Sequence, residues 1–332
     1  MRSTNFTLLS CLCVAVMASP AATVLAQSTP AVQLAPHIVE VEGGILPGHE
    51  PDGNSYILAG KSGLTVIDTG RHAAHREKIK AAAESLHAPI VAIVNTHWHL
   101  DHVSGNADLR AAYPGLKVYA SAAIDKALTG FLPDSAVKGR AALDNPKVPA
   151  TTKEEIRIDL ATIESGPALK PDVVVDGTRD VDLGGMHLQL HLAKDAATAG
   201  DVWVYDPVSK IAFVGDLVTF PAPFLDTACS QGWSVALADI SKMPFEKIAP
   251  GHGPILSRTG FETYRGAFDG LIACSASTTS ADDCASAWTN ATASLVTRTD
   301  EDKEQSSGMA AYYVVEVLRK NNGNSRTCAQ QK

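Results

Sequence analysis

Six consecutive residues, from His97 to His102, constrain this chain more than any other feature. They read His-Trp-His-Leu-Asp-His, so three of the chain's eleven histidines share one short window with an aspartate. Imidazole nitrogens and carboxylate oxygens are the ligands that borderline metals such as Zn²⁺ prefer. Because alternate side chains of an extended chain project to the same side, His97 and His99 can hold one ion between them.

The residues just before this motif favour a metal site over the alternative, a solvated histidine-rich loop. The apolar run 90–94 predicts a short buried strand. The histidines would then lie in the loop at the carboxyl end of that strand, where side chains from several elements can converge.

Three further motifs follow in order along the chain. Asp68 closes an apolar run, Asp216 follows a glycine after another apolar run, and His252 lies in a Gly-His-Gly-Pro stretch. Together with the six-residue motif they resemble the metallo-β-lactamase superfamily over about residues 37–256. The resemblance implies an α/β fold, a four-layer αβ/βα sandwich with the metal site at the sheet edge.

The resemblance also implies two neighbouring metal positions. Asp68 would hydrogen-bond a ligand histidine from behind, although a turn aspartate that serves the local backbone is the alternative. Asp101 would have a second, catalytic role, in which it orients the attacking hydroxide or moves a proton to the leaving group. The first position would take His97 and His99, the second would take Asp101, His102 and His252, and Asp216 would bridge them.

One motif departs from the family pattern. Where a third ligand histidine is expected, the chain reads Ala-Thr-Ala-Gly-Asp, with Ala197 at the ligand position. A methyl group cannot coordinate a metal, so we expect one or two zinc ions, with the second position favoured. Asp195, two residues earlier, is the candidate substitute ligand. Iron is the less expected metal.

The chemistry of such a site suggests hydrolysis. A metal-bound hydroxide can attack an ester, thioester or amide carbonyl, so we expect a zinc hydrolase of a small ester-, amide- or lactam-like substrate. Trp98 and the loop 220–224 could wall an apolar substrate pocket. Two alternatives stay open: a metal-binding accessory protein with little or no turnover on the same scaffold, and an iron-dependent oxygenase.

The amino terminus predicts export. Arg2, an apolar run over 8–18 and small residues before position 27 are typical of a secretory signal peptide that is cleaved near Ala26. We therefore expect a periplasmic or secreted, soluble protein with no membrane span. The net charge of −8, without basic clusters, argues against nucleic acid as a partner. The sequence leaves the oligomeric state open.

Export also permits disulfides. Cys274 and Cys284 are ten residues apart and flank a polar linker between two helix-like segments, so we predict a bond between them. The sequence does not decide the pairing of Cys229 and Cys328.

The chain divides into the signal peptide 1–26, a metallo-β-lactamase-like domain 27–257 with a helical insertion at about 121–165, and a helical C-terminal extension 258–332. Four histidines outside the motifs, His49, His72, His75 and His87, are expected at the surface. Hydrophobic periodicity predicts a helix over 72–87 and strands at 90–94, 117–120, 172–176, 186–192, 201–205 and 211–214.

Overall fold

The computed structural model describes residues 31–44, 49–320, 323–325 and 328, so the predicted signal peptide lies outside the described residues. Within those ranges the strands form two sheets, one with the order β1-β2-β3-β4-β5-β6-β7 and one with the order β13-β12-β11-β10-β9-β8. The strands are β1 (Val32–Ala35), β2 (Ile38–Val41), β3 (Ser55–Gly60), β4 (Gly63–Ile67), β5 (Ile90–Val94), β6 (Lys117–Ala120), β7 (Val173–Val174), β8 (Arg179–Leu183), β9 (Met186–Lys194), β10 (Gly200–Asp206), β11 (Ile211–Gly215), β12 (Lys247–Pro250) and β13 (Leu256–Ser257).

Helices cover both sheets and connect their strands. They are α1 (Ala73–Ser85), α2 (Leu100–Val103), α3 (Asn106–Ala112), α4 (Ala123–Thr129), α5 (Phe131–Leu143), α6 (Ala150–Glu164), α7 (Gly166–Leu169), α8 (Ser230–Ser241), α9 (Arg258–Ser275), α10 (Ala281–Ala291) and α11 (Asp300–Tyr313), which continues into a π-helical segment, Val314–Leu318.

The two sheets pack face to face. Leu58 and Val94 of the first sheet share one buried cluster with Leu190 and Phe213 of the second. Strands β4, β10 and β11 are buried along their whole length, as expected for strands that are covered on both faces. This burial explains why their sequences are nearly continuous apolar runs rather than alternating ones.

The outer faces of the sheets are covered by helices. Helix α1 places Ile79 and Ala83 in a cluster with the first sheet. Helices α8 and α9 place Trp233 and Phe268 in a cluster with the second. The resulting order is helix, sheet, sheet, helix, which is the αβ/βα sandwich predicted from the sequence.

The segment between β6 and β7 is helical and contains α4 to α7. Its Ile124 and Leu132 are buried in one cluster with Trp98 and Leu100 of the six-residue motif. The segment therefore packs directly against the loop that carries the candidate ligands.

The helices after β13 share the core of the second sheet. Trp288 of α10 and Tyr313 of α11 belong to the same buried cluster as α8 and α9. A disulfide joins Cys274 to Cys284 across α9 and α10, as predicted, and a second joins Cys229 to Cys328. Among the described helices, none is both long and apolar enough to cross a membrane.

Candidate metal centre

Four strand ends supply the candidate ligands and Asp68, the carboxylate behind them. Asp68 follows β4, and Asp216 and His252 follow β11 and β12. The histidine motif follows β5 and forms helix α2 at its end. Strands β4 and β5 are parallel, as are β11 and β12, so in each sheet the carboxyl ends lie at one edge. The two edges meet, and residues 150 positions apart, His102 and His252, come into contact there.

The candidate ligands form two groups that share Asp216 as a neighbour. In each group the potential ligand atoms lie within 4.8 Å of one another. Asp216 Oδ2 is 3.7 Å from His97 Nε2, and Asp216 Oδ1 is 3.3 Å from His102 Nε2. The Asp216 carboxylate therefore faces both groups, which is the geometry a bridging ligand needs. The groups are His97, His99 and Asp216, and Asp101, His102 and His252.

A buried hydrogen-bond network behind the ligands fixes their orientation. Asp68 accepts hydrogen bonds from His102 Nδ1 at 2.8 Å and from Thr96 Oγ1 at 2.7 Å. Because the Thr96 hydroxyl donates to Asp68, it accepts from His97 Nδ1 at 2.9 Å. Both histidines thus carry their proton on Nδ1 and point an Nε2 lone pair into the centre. Thr96 was missed in the sequence because a threonine after a strand carries no distinctive signal.

The donor set fits a divalent cation. His97 Nε2 and Asp216 Oδ1 are buried without a hydrogen-bond partner. His102 Nε2 lies 3.3 Å from His252 Nε2, so a proton or a cation is needed between the two nitrogens. A buried acceptor without a partner is costly. A metal ion that is held by these atoms would satisfy them together.

The electrostatic environment keeps the first group in its ligating form. Burial lowers the pKa of His97 well below its usual value and that of His99 to about 4, so both imidazoles are neutral. Burial alone would raise the pKa of Asp216, but the neighbouring histidines lower it below the usual range. A neutral imidazole and an ionised carboxylate are the forms that bind metal.

In the second group, burial and the neighbouring carboxylates shift the histidine pKa values in opposite directions. Burial would lower the pKa values of His102 and His252, but the carboxylates of Asp101 and Asp216 raise them above the usual value. Protons and metal ions therefore compete for this group, and metal binding there would release protons.

Ala197 lies next to the first group. Its carbonyl accepts a hydrogen bond from Thr227 Oγ1 at 2.9 Å, and the same hydroxyl accepts one from His99 Nε2 at 2.9 Å. His99 therefore keeps its lone pair on Nδ1. Asp195, the proposed substitute ligand, is exposed, has a positive φ of 51°, and is in neither group.

A cavity of about 450 Å³ opens above the centre, with candidate ligands from both groups on its floor. Trp98 and residues of the loop 220–224 line it, as the sequence suggested. The Trp98 ring is 5.3 Å from that of Phe131, which begins α5. Other apolar walls come from the helical insertion and from α11, namely Leu132, Ile156, Leu160, Ile163 and Met309.

Arg71 is a further functional candidate that no sequence motif indicated. It lines the cavity, and its guanidinium pairs with Asp159 of α6 and lies 4.0 Å from Asp101. Among the described residues that line this cavity, it is the single arginine or lysine. Only the fold brings residues 71 and 159 together, so no local pattern predicts the pair.

Of the four histidines expected at the surface, His87 is exposed, and the other three are partly or fully buried. The prediction for His75 was wrong, since it is buried and hydrogen-bonds Ser55 at 2.9 Å, and burial lowers its pKa to about 4. Helix α1 turns this side chain toward the first sheet, which periodicity alone did not reveal. His49 and His72 are partly exposed and both contact Glu155 of α6.

A family model described as the Metallo-beta-lactamase superfamily matches residues 50–252. The chain belongs to this superfamily. Within it, the chain is atypical at Ala197, because alanine stands at the position of the third-motif histidine. The matched segment includes every candidate ligand of the two groups.

Curated relatives match over short stretches. A hydroxyacylglutathione hydrolase from Gloeobacter violaceus is 66% identical over 32 residues, which are 10% of this chain and 13% of that protein. An atrochrysone carboxyl ACP thioesterase from Aspergillus fumigatus is 35% identical over 86 residues, 25% of this chain and 27% of that protein. The alignments thus span at most about a quarter of either relative.

Solved structures share the superfamily fold. A metallo-beta-lactamase from Pontibacter korlensis superposes with a TM-score of 0.53 at 20% identity and covers 72% of this chain and 98% of its own. TMB-1 superposes with a TM-score of 0.52 at 16% identity over 72% of this chain and 96% of its own. At these identities the similarity establishes the fold and not the substrate.

Proposed function

We propose that this superfamily member is an exported, zinc-dependent hydrolase that cleaves a small ester-, thioester-, amide- or lactam-like substrate. The observation that carries the proposal is the convergence of two groups of buried histidines and aspartates at the floor of one apolar cavity. Two disulfides among the described cysteines support a location outside the reducing cytoplasm.

In this proposal His97 and His99 hold one metal position, and Asp101, His102 and His252 hold the other. Asp216 bridges the two, and Asp68 orients His102 from behind. When bound, zinc supplies Lewis acidity, which polarises a carbonyl and lowers the pKa of water. The second position is favoured, because Asp216 Oδ1 is close to both of its histidines, at 3.3 Å and 3.6 Å. Ala197 leaves the first position with three donors.

Asp101 is the proposed catalytic carboxylate. Burial opposes its ionisation, but His102, His252 and Arg71 together hold its pKa well below the usual range. An ionised carboxylate on the cavity floor can accept a hydrogen bond from the attacking water and orient it toward the substrate carbonyl. Its Oδ2 is 2.9 Å from His252 Nε2, which fixes the carboxylate direction.

The cavity favours an uncharged, apolar group next to the scissile bond. Its walls are mainly aromatic and aliphatic, and its volume of about 450 Å³ fits a small ligand. The Arg71 charge is already neutralised by Asp159 and Asp101. Binding a substrate carboxylate there would require breaking a partly buried ion pair, which is costly. We therefore propose an apolar acyl or lactone substrate over an anionic one.

A hydrolysis panel tests the proposal. The zinc-loaded full chain would be assayed with neutral acyl esters, thioesters and lactones of increasing chain length and with an anionic β-lactam. We expect turnover that increases with apolar chain length, is lost after chelation and returns with zinc. Stoichiometric zinc without turnover on any of these substrates would instead favour an accessory metal-binding protein. Oxygen consumption by an iron-loaded sample would favour an oxygenase.

A further inference from the structure

A third group of metal-ligating side chains lies at the rim of the cavity, outside the two groups of the metal centre. It comprises His49, His72 and Glu155, whose ligand atoms lie within 4.8 Å of one another. Glu155 Oε1 is 2.6 Å from His49 Nδ1, and Glu155 Oε2 is 2.9 Å from His72 Nε2. We name these three residues the rim cluster. It joins α6 of the helical insertion to the beginning of α1.

The rim cluster has an outer support of the kind that orients metal ligands. His72 Nδ1 is 2.9 Å from Asp52 Oδ2, and the other oxygen of Asp52 accepts hydrogen bonds from the backbone amides of Arg71 and His72. A carboxylate behind a histidine, with the opposite ring nitrogen directed at a cation, is a common arrangement in metal sites. Asp52 thus turns His72 Nε2 toward Glu155.

The charges of the rim cluster call for a cation. With Nδ1–H donated to Asp52, neutral His72 presents an Nε2 lone pair to the Glu155 carboxylate, and two acceptors then face each other. Glu155 is buried, with a side chain only 5% exposed, so water does not screen it well. Asp52 and Glu155 contribute two negative charges, whereas the guanidinium of Arg71, the residue before His72, is paired with Asp159 and Asp101. A divalent ion or a protonated His72 would balance this charge.

We infer that the rim cluster is a separate divalent-metal site, with His49, His72 and Glu155 as protein ligands and water completing the coordination. Two imidazoles and a carboxylate suit zinc. His49 is 36% exposed at its side chain, so an ion can reach the site from solvent. The ion would fasten α6 to the rim of the cavity and thereby set the position of the apolar walls formed by Ile156 and Leu160. This inference does not require that the protein be a hydrolase.

Zinc stoichiometry tests the inference. The full chain would be stripped with a chelator and dialysed against buffered free zinc, and bound zinc would be measured by elemental analysis. We expect the double variant His49→Gln, His72→Gln and the single variant Glu155→Gln each to bind about one zinc fewer per chain than the parent. His187→Gln, at a histidine with a 65% exposed side chain on β9, is the matched control and should keep the parent's count.

The conservative Glu155→Gln variant decides the test if the double variant fails to fold, because the amide keeps the side-chain shape and loses the charge. A second readout is the rise in melting temperature that zinc produces, which should be smaller in both variants than in the parent. If both variants bind as much zinc as the parent, the inference is wrong and a protonated His72 bridges the two carboxylates instead.

Discussion

Asp68 orients histidines of both groups in the candidate metal centre. It accepts hydrogen bonds from His102 Nδ1, from Thr96 Oγ1 and from the Thr96 backbone amide at 2.8 Å. Through Thr96 it also fixes the tautomer of His97. One carboxylate therefore directs an Nε2 lone pair from each of the two ligand groups into the centre.

Replacing this carboxylate should weaken metal binding without unfolding the chain. We expect Asp68→Asn to lower zinc affinity by roughly 10–100-fold, since an amide cannot accept from all three donors. Chelator competition would measure the affinity. Asp180→Asn, at a side chain that is 60% exposed, is the control. Equal zinc affinity in Asp68→Asn and the parent would rule out an orienting role.

The buried carboxyl group of Glu40 predicts how the stability of the fold depends on pH. Burial, and to a lesser degree Glu42, raises the pKa of Glu40 from its ordinary value of 4.5 to about 7. Between these two pH values the folded state therefore keeps a proton on Glu40, whereas the unfolded state has released it. The free energy of unfolding consequently falls as the pH rises through this window.

Replacing the Glu40 carboxyl group by a neutral amide should remove this loss of stability at high pH. We expect the free energy of unfolding of Glu40→Gln to exceed that of the parent by about 1–3 kcal/mol at pH 8 and by much less at pH 5. Urea titrations at both values would measure it, with the exposed Glu84→Gln as the control. A difference between Glu40→Gln and the parent that does not change with pH would contradict the assignment.

The candidate ligands could be found in the sequence because each lies in a short motif after an apolar run. The motifs named six residues, and the fold brings all six into the two groups. Thr227 and Arg71 could not be found in this way. Their contacts with His99 and Asp159 join positions 128 and 88 residues apart, and such contacts arise only from the sheet packing and from the helical insertion.

Helix α5 forms part of the wall of the proposed substrate pocket. Phe131 at its first position lines the cavity and contacts Trp98, whereas Val137 on the same helix is 66% exposed. The two side chains therefore allow a matched comparison on one helix.

Removing the Phe131 ring should weaken substrate binding and leave metal binding unchanged. We expect Phe131→Ala to lower kcat/KM for an apolar acyl substrate by roughly 10–100-fold, which corresponds to about 1.4–2.7 kcal/mol of lost apolar contact. Val137→Ala should leave it unchanged, and both variants should bind as much zinc as the parent. If the two substitutions affect kcat/KM equally, the cavity is not the acyl pocket.

Elements with a strong hydrophobic pattern, either a continuous apolar run or apolar residues at helical spacing, were predicted closely. Strand β5 has the predicted bounds 90–94, and α1 lies within the predicted 72–87. Strand β8 was not predicted, because its sequence Arg-Asp-Val-Asp-Leu lies at the sheet edge and is mostly polar. An edge strand buries few side chains, so its hydrophobic signal is weak.

The two disulfides link distant parts of the chain to different degrees, because they close loops of different length. Cys229–Cys328 closes a loop of 99 residues, whereas Cys274–Cys284 closes one of 10. The longer loop connects the start of α8 to the end of the described chain. The chain-entropy argument therefore gives the longer loop the larger effect on stability.

Removing each disulfide in a separate variant would compare their contributions to the free energy of unfolding. We expect the double variant Cys229→Ala, Cys328→Ala to lose about 4–5 kcal/mol of unfolding free energy, and Cys274→Ala, Cys284→Ala about 2–3 kcal/mol. Denaturant unfolding under oxidising conditions would measure both. A greater loss from the shorter loop would show that local packing, and not loop closure, dominates.

The Ala197 position makes a further prediction for the whole centre. We expect Ala197→His to increase bound zinc by up to one ion per chain, because it supplies the donor that the first group lacks. Equilibrium dialysis followed by elemental analysis would measure the increase, with Ala228→His, at another buried alanine, as the control. An unchanged zinc count in a folded Ala197→His variant would contradict a weak first position.

We propose that the edge shared by the two sheets is a metal centre whose second position binds a metal ion more tightly than the first. Crystals of the full chain, grown with limiting zinc, would give anomalous difference maps at the zinc absorption edge. We expect a strong peak among Asp101, His102 and His252 and a weaker peak or none between His97 and His99. Equal peaks at both positions would contradict the predicted order of affinity, and the absence of a peak at both positions would contradict the metal centre itself.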